Sequence, residues 1–165
     1  MQKLIIQGGQ RLRGKVTASG SKNSSLPILA ASLLTRDECV IRHVPDLSDT
    51  NYMVQILCEL GAEVERASGT LSIKAEKISP DAPYDLVRKM RASICVMGPL
   101  VGRLHKATVS MPGGCVIGDR PVDLHLKGLE YLGADVKVDG GNINIQVGRG
   151  RLKGASMNLL GKFGS

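Results

Sequence analysis

Apolar residues recur at three- and four-residue spacing at Leu26, Leu29, Ala30, Leu33 and Leu34. That spacing is one face of a helix. Ser21-Lys22-Asn23-Ser24-Ser25 stands just before it, and serine and asparagine favour the capping position of a helix. Cys39–His43 has β-branched character and predicts a strand. Asp46-Leu47-Ser48-Asp49 offers capping groups for a helix over about Thr50–Leu60, with a stop at Gly61. Val64–Arg66 and Thr70–Lys74 predict a hairpin turning at Ser68-Gly69. The same order then returns. Tyr84–Arg103 predicts a helix broken near Gly98-Pro99. Ala107–Met111 reads as a strand and Val122–Leu132 as a helix. Val136–Val138 and Ile143–Val147 read as a hairpin across Asp139-Gly140-Gly141-Asn142. Short strands are expected at Leu4–Gln7 and Gly14–Thr17, and another begins at Ala155–Leu159.

The recurrence extends to the residues themselves. Ile56-Leu57-Cys58-Glu59-Leu60-Gly61-Ala62-Glu63-Val64 matches Gly128-Leu129-Glu130-Tyr131-Leu132-Gly133-Ala134-Asp135-Val136. Upstream, Cys39-Val40-Ile41 matches Ala107-Thr108-Val109 at a slightly shorter offset, so about four residues enter the second copy between Gly113 and Gly133. Insertions of this kind map to loops, often on a binding face. The fold class is therefore α/β (α+β). Its repeated helix–strand units span about 21–75 and 84–148, and a third unit begins near the end of the chain.

Composition narrows the function. The chain has 165 residues, 42% hydrophobic and 22% charged, enough for one ordinary domain. No apolar run approaches the roughly 20 residues that span a bilayer. The start, Met1-Gln2-Lys3-Leu4-Ile5-Ile6, lacks a signal peptide's long apolar core. A cytoplasmic protein with no membrane partner is expected. The net charge of +7 favours acidic partners. With no Trp, one Phe and three Tyr, stacking platforms for nucleic acid are scarce. A small phosphorylated substrate fits better than a polymer, although charge alone would also allow a noncatalytic anion-binding domain.

Candidate chemistry centres on one cysteine. Cys39, Cys58, Cys95 and Cys115 form no CxxC pair, and no Cys/His group has zinc spacing. Cys39, Cys58 and Cys95 sit in apolar-periodic segments and are expected to be buried as small hydrophobes. Cys115 instead lies in Pro112-Gly113-Gly114-Cys115-Val116-Ile117-Gly118-Asp119-Arg120, the segment that carries the inserted residues. A thiol in a glycine-rich loop near a guanidinium suits acid or covalent chemistry on an anionic substrate. A surface turn with a stray cysteine is the bland alternative.

Four segments, SGSKNSSLPILAASLL, PYDLVRKMRASICVMGPLVGRL, SMPGGCVIGDRPVDLHLKGLEYLGA and GRLKGA, carry a resemblance. The chain resembles the enolpyruvyl transferases, and among them the family of UDP-N-acetylglucosamine 1-carboxyvinyltransferases. The resemblance implies an inside-out α/β barrel of two domains, each with three such units. Residues 1–20 would then be a strand segment of the second domain, and 21–165 a partial first domain. It implies an N-terminal fragment of a longer protein, whose second domain and catalytic aspartate lie past Ser165, so that the fragment alone is inactive.

The implied reaction moves an enolpyruvyl group from phosphoenolpyruvate to the 3-hydroxyl of UDP-N-acetylglucosamine, without a cofactor, and opens peptidoglycan synthesis. By the same resemblance Cys115 is the catalytic proton donor and the target of the epoxide fosfomycin. Lys22, Asn23 and Arg120 bind phosphoenolpyruvate. Asn23, Arg91, Arg120, Pro121, Val122, Asp123, Leu124 and Gly164 bind the sugar nucleotide. Asp49 helps order the site or simply caps its helix. The related enzyme of the shikimate pathway shares the architecture but lacks the cysteine loop. Leu160-Gly161-Lys162-Phe163-Gly164 departs from the family's usual run, which leaves no clear role for Lys162.

Overall fold

The computed structural model of the chain describes residues 3–9, 11–111, 122–148 and 150–158. Helix α1 (Lys22–Ala31) runs into a 3-10 turn (Ser32–Leu34). Strand β1 (Cys39–Ile41), helix α2 (Ser48–Glu59) and strands β2 (Glu63–Ala67) and β3 (Thr70–Lys74) follow. The second half opens with a short α3 (Tyr84–Val87), a 3-10 helix (Arg91–Val96) and α4 (Met97–Leu104). It continues with β4 (Lys106–Ser110), α5 (Asp123–Tyr131), β5 (Ala134–Asp139) and β6 (Asn142–Val147). Each half forms an antiparallel three-stranded sheet, in the orders β1-β3-β2 and β4-β6-β5. In both, the last strand of the half lies in the middle.

Local chemistry explains the likeness of the halves. Gly61 ends α2 at φ 103° and Gly133 follows α5 at φ 92°, a backbone conformation that glycine adopts without a Cβ clash. The Gly61 N–H donates to the Cys58 carbonyl and the Ala62 N–H to the Leu57 carbonyl, both at 2.9 Å. These bonds satisfy carbonyls that the helix leaves open. In the second half the Gly133 N–H donates to Glu130 at 2.9 Å. Both hairpins turn on two residues of positive φ, Ser68-Gly69 and Gly140-Gly141, whose twist matches that of the flanking strands. Along β3, Leu71 and Ile73 face inward; along β6, Ile143, Ile145 and Val147 do so, as a period of two requires.

One core joins the halves. It holds Leu26, Leu29 and Leu33 of the first segment, Met53, Ile56 and Leu57 of α2, and Met97, Leu100 and Val101 of α4. Helix α1 packs on both α2 and the 3-10 helix, and the 3-10 turn after it packs on α4. Polar groups fix this contact. The Arg103 guanidinium, on α4, donates to the carbonyls of Leu33 and Thr35 at 2.9 Å and of Glu76 at 2.8 Å. The segment after β3 then lies along β4: the Ala82 N–H donates to Thr108, and the Thr108 N–H to Pro80, both at 2.9 Å.

Several expectations are corrected. No strand forms at 4–7 or 14–17, where Leu4, Ile5 and Val16 are at least nine-tenths exposed. A lone pair of strands with nothing covering its apolar side is at best marginally stable in water. Residues 155–158 are likewise not a strand. The helical stretch from Tyr84 breaks at Met90, which is extended (φ −144°, ψ 129°), rather than at Gly98-Pro99. Pro99 falls in the first turn of α4, where a missing N–H costs no hydrogen bond. Cys58 is exposed and Cys39 and Cys95 are only partly buried. Cys58 stands one residue past buried Leu57 on α2, hence about 100° around the helix.

Three outcomes are expected from denaturant unfolding. Removing the guanidinium in Arg103→Ala strands the three carbonyls it serves and lowers stability by about 2–3 kcal/mol. Arg103→Lys recovers only part of that loss, because one ammonium cannot reproduce the planar fork. Gly20→Ala places a Cβ against the His43 carbonyl and costs about 1–3 kcal/mol, as overpacking does. A variant of either kind as stable as the wild type contradicts the packing described.

Candidate functional site

Ser21 caps α1: its Oγ accepts from the Ser24 N–H at 3.3 Å, and its carbonyl accepts from the Ser25 N–H at 3.0 Å. Lys22 is therefore the first residue of α1 and Asn23 the second, both exposed. The start of a helix presents outward-pointing N–H groups and a positive dipole end, a setting suited to anions. No acidic residue occupies this first turn. Gly20 sits against the His43 carbonyl, so the chain approaches α1 along the segment that leads into α2.

The carboxylate comes from the neighbouring helix. Lys22 Nζ donates to Asp49 Oδ2 at 2.7 Å, with side chains 45% and 31% exposed. Asp49 lies in the first turn of α2, where the helix dipole favours a negative charge. It does not cap α2. Thr50, fully buried, does that work: its Oγ1 accepts from the Leu47 N–H at 3.1 Å and lies 2.7 Å from the Pro45 carbonyl. The nearby Asp46 is also committed elsewhere. The Asn51 amide and then the Arg66 guanidinium hold its carboxyl below the usual range, with Arg66 at 2.8 Å.

Arg91 opens the 3-10 helix that packs against α1. Its place is set by Ser93, fully buried, whose Oγ lies 2.8 Å from the Val87 carbonyl and 2.5 Å from that of Met90. This hydroxyl stitches across the break between α3 and the 3-10 helix. Val122 is buried at the start of α5, Asp123 is the helix's exposed first residue, and Leu124 is half-buried. Leu124 lines an apolar groove of about 800 Å³ with Pro27, Ala31, Ile94 and Met97. With almost no polar lining, the groove suits packing rather than a charged ligand.

Cys115, Arg120, Pro121 and Gly164 lie outside the described residues. The structure thus joins Lys22 to Asp49 directly and sets the Arg91 element on α1. It gives no direct contact between Lys22 and Asp123. Sequence reasoning missed Ser93, Thr50 and Gly20 as the groups that fix these positions. Ser93 lies in Met90-Arg91-Ala92-Ser93, so it was visible as a motif member and not as a staple. Among the described residues no group of His, Cys, Asp and Glu is arranged to hold a metal ion, and no helix is long and apolar enough to cross a membrane. Burial pushes the Cys95 thiol up, and burial followed by the neighbouring Glu59 charge does the same to Cys58.

Comparison with known proteins gives this arrangement a family. The model of the EPSP synthase (3-phosphoshikimate 1-carboxyvinyltransferase) family matches residues 6–165. The UDP-N-acetylglucosamine 1-carboxyvinyltransferase of Methylacidiphilum infernorum is 59% identical over 165 residues, 100% of this chain and 39% of that protein. The protein of that name from Akkermansia muciniphila is 57% identical over 164 residues, 99% of this chain and 38% of its own length. The chain thus spans about two fifths of the curated relatives it matches. Among solved structures, the enolpyruvyl transferase NikO from Streptomyces tendae superposes with a TM-score of 0.72 at 24% identity, over 87% of this chain and 32% of that one. EPSP synthase from Acinetobacter baumannii gives 0.60 at 18%, over 82% and 32%. These two superpositions show the same mixed α/β fold. The chain belongs to the EPSP synthase family of enolpyruvyl transferases, as a homologue of the UDP-N-acetylglucosamine 1-carboxyvinyltransferases.

Proposed function

We propose that this chain supplies one wall of a cytoplasmic enzyme that transfers the enolpyruvyl group of phosphoenolpyruvate to the 3-hydroxyl of UDP-N-acetylglucosamine. Phosphate leaves, and the product opens peptidoglycan synthesis. The observation that carries this reading is the 59% identity, across the whole chain, to a relative of that name. Protonation of the enol at C3 and attack by the sugar hydroxyl at C2 give a tetrahedral ketal. Its collapse returns a proton from C3 and expels phosphate.

Cys115 is the acid toward C3, since a thiol can give a proton to a reacting carbon. Lys22 and Arg120 neutralise the phosphate and carboxylate of phosphoenolpyruvate. The start of α1 supports Lys22 in this, since helix N–H groups and the ammonium meet one anion. Asn23 bonds the reacting hydroxyl. Arg91, Arg120, Pro121, Val122, Asp123, Leu124 and Gly164 hold the sugar nucleotide. A guanidinium is suited to bidentate contact with a phosphate.

Residues 1–20 belong with the second domain of the longer enzyme, and units of about 21–75 and 84–148 build most of the first. The exposed Leu4, Ile5, Ile6, Leu12 and Val16 support the first point, because such side chains need a partner surface. The 165-residue chain alone is inactive, since catalysis depends on groups held in a narrow geometry across a cleft.

Phosphate release with both substrates tests the reading. The chain alone is expected to release none. Mixed with the remaining C-terminal segment of its Methylacidiphilum infernorum relative, it should release phosphate with UDP-N-acetylglucosamine and not with 3-phosphoshikimate. Turnover by the chain alone would refute the incomplete cleft, and a preference for 3-phosphoshikimate would refute the acceptor.

Alkylation by iodoacetamide at neutral pH, followed by peptide mapping, tests the thiol assignment. A raised pKa leaves less thiolate at a given pH, and the thiolate is the nucleophile. Cys58 and Cys95 should therefore react slowly and Cys115 first. Earlier modification of Cys58 or Cys95 would count against Cys115 as the reactive group.

A further inference from the structure

We propose that Asp49 is the positioning residue for Lys22, holding its ammonium at one point above the start of α1 while leaving donors free for an incoming anion. The proposal rests on the reading of Lys22 as a phosphoenolpyruvate ligand and deepens it. Three observations carry it. The ion pair is short, at 2.7 Å, and joins two helices whose first turns lie side by side. Among the described residues Asp49 has no competing partner, because Thr50 supplies the side-chain bond at the start of α2 and Asp46 is the carboxylate that Asn51 and Arg66 engage. The first turn of α1 carries no acidic residue of its own.

The chemistry follows from the two groups. A lysine side chain is a point charge on a flexible four-carbon stem and loses much rotamer freedom when fixed. At a helix start it also faces an unfavourable dipole. A carboxylate from α2 compensates both and selects one orientation. An ammonium has three N–H donors; one serves Asp49, and two remain for phosphate or carboxylate oxygens. Since a partly exposed ion pair adds little to folding, the consequence of Asp49 lies in ligand binding rather than in stability.

The test uses the 165-residue chain with isotope-labelled lysine side chains, and phosphoenolpyruvate as the probe. Lysine signals are followed by NMR through a titration into the millimolar range, for wild type, Asp49→Asn, Asp49→Glu and Lys22→Ala. Phosphoenolpyruvate should move the Lys22 signal in the wild type. Asp49→Asn should bind about tenfold more weakly at an unchanged melting temperature, and Asp49→Glu should stay within about threefold of wild type, as loss and recovery of preorganisation require. Equal or tighter binding by Asp49→Asn, or failure of Asp49→Glu to rescue, overturns the proposal. A wild-type Lys22 signal that never responds, or Lys22→Ala binding as well as wild type, overturns the anion reading of Lys22 and this proposal with it.

Discussion

Burial of one side of α1 is the contact on which the rest of the molecule depends. Leu26, Leu29, Ala30 and Leu33 are all within a few per cent of complete burial, and each leucine so buried contributes about 1.5–3 kcal/mol relative to exposure. The same side meets α2 of the first half and the 3-10 helix of the second. The Arg103 bonds and the segment lying along β4 add to this junction between the two three-stranded sheets. Because α1 is held along its length, its first turn has a defined place, and Lys22 and Asn23 inherit that place.

Apolar burial is not directional, so it does not by itself decide how the helices are rotated or where they end. Directional bonds do that. Arg103 reaches from the second half to three carbonyls of the first. Ser93 closes the break that sets Arg91 at the start of its 3-10 helix. Thr50 caps α2 from inside the core and leaves Asp49 facing Lys22. Each of these groups is partly or wholly buried and satisfied; among the described residues no buried side-chain polar atom lacks a partner. Of the charged groups proposed to meet substrate, Lys22 and Asp123 are exposed and Arg91 is partly so.

The two halves share a strand order and a glycine stop after the second helix, yet they differ where chemistry is expected. In the first half β1 passes to α2 through Arg42–Leu47, fixed by the Val44 N–H to the Gly69 carbonyl at 2.8 Å. In the second, the corresponding connection is longer and carries Cys115 and Arg120. Duplicated units can diverge in such a connection at little cost to the sheets, since loop closure entropy grows only slowly with length.

The sequence by itself determined the element order, the repeat and the turns, because these depend on near neighbours. Helical spacing marked Leu26–Leu33, alternation marked β3 and β6, and glycine marked the ends of α2 and the hairpins. The family was legible too, in Lys22-Asn23, Met90-Arg91-Ala92-Ser93 and the Cys115 segment. Tertiary structure decided what depends on distant partners. It left residues 4–7 and 14–17 without strand pairing, because their apolar side chains find no cover among the described residues. It moved the helix break from Gly98-Pro99 to Met90, because the Ser93 hydroxyl engages carbonyls there while Pro99 fits a first turn. It gave Thr50 the capping bond expected of its acidic neighbours. And it set Asp49 against Lys22, a pairing across 27 positions that no local pattern records, since only the packing of α1 on α2 brings their first turns together.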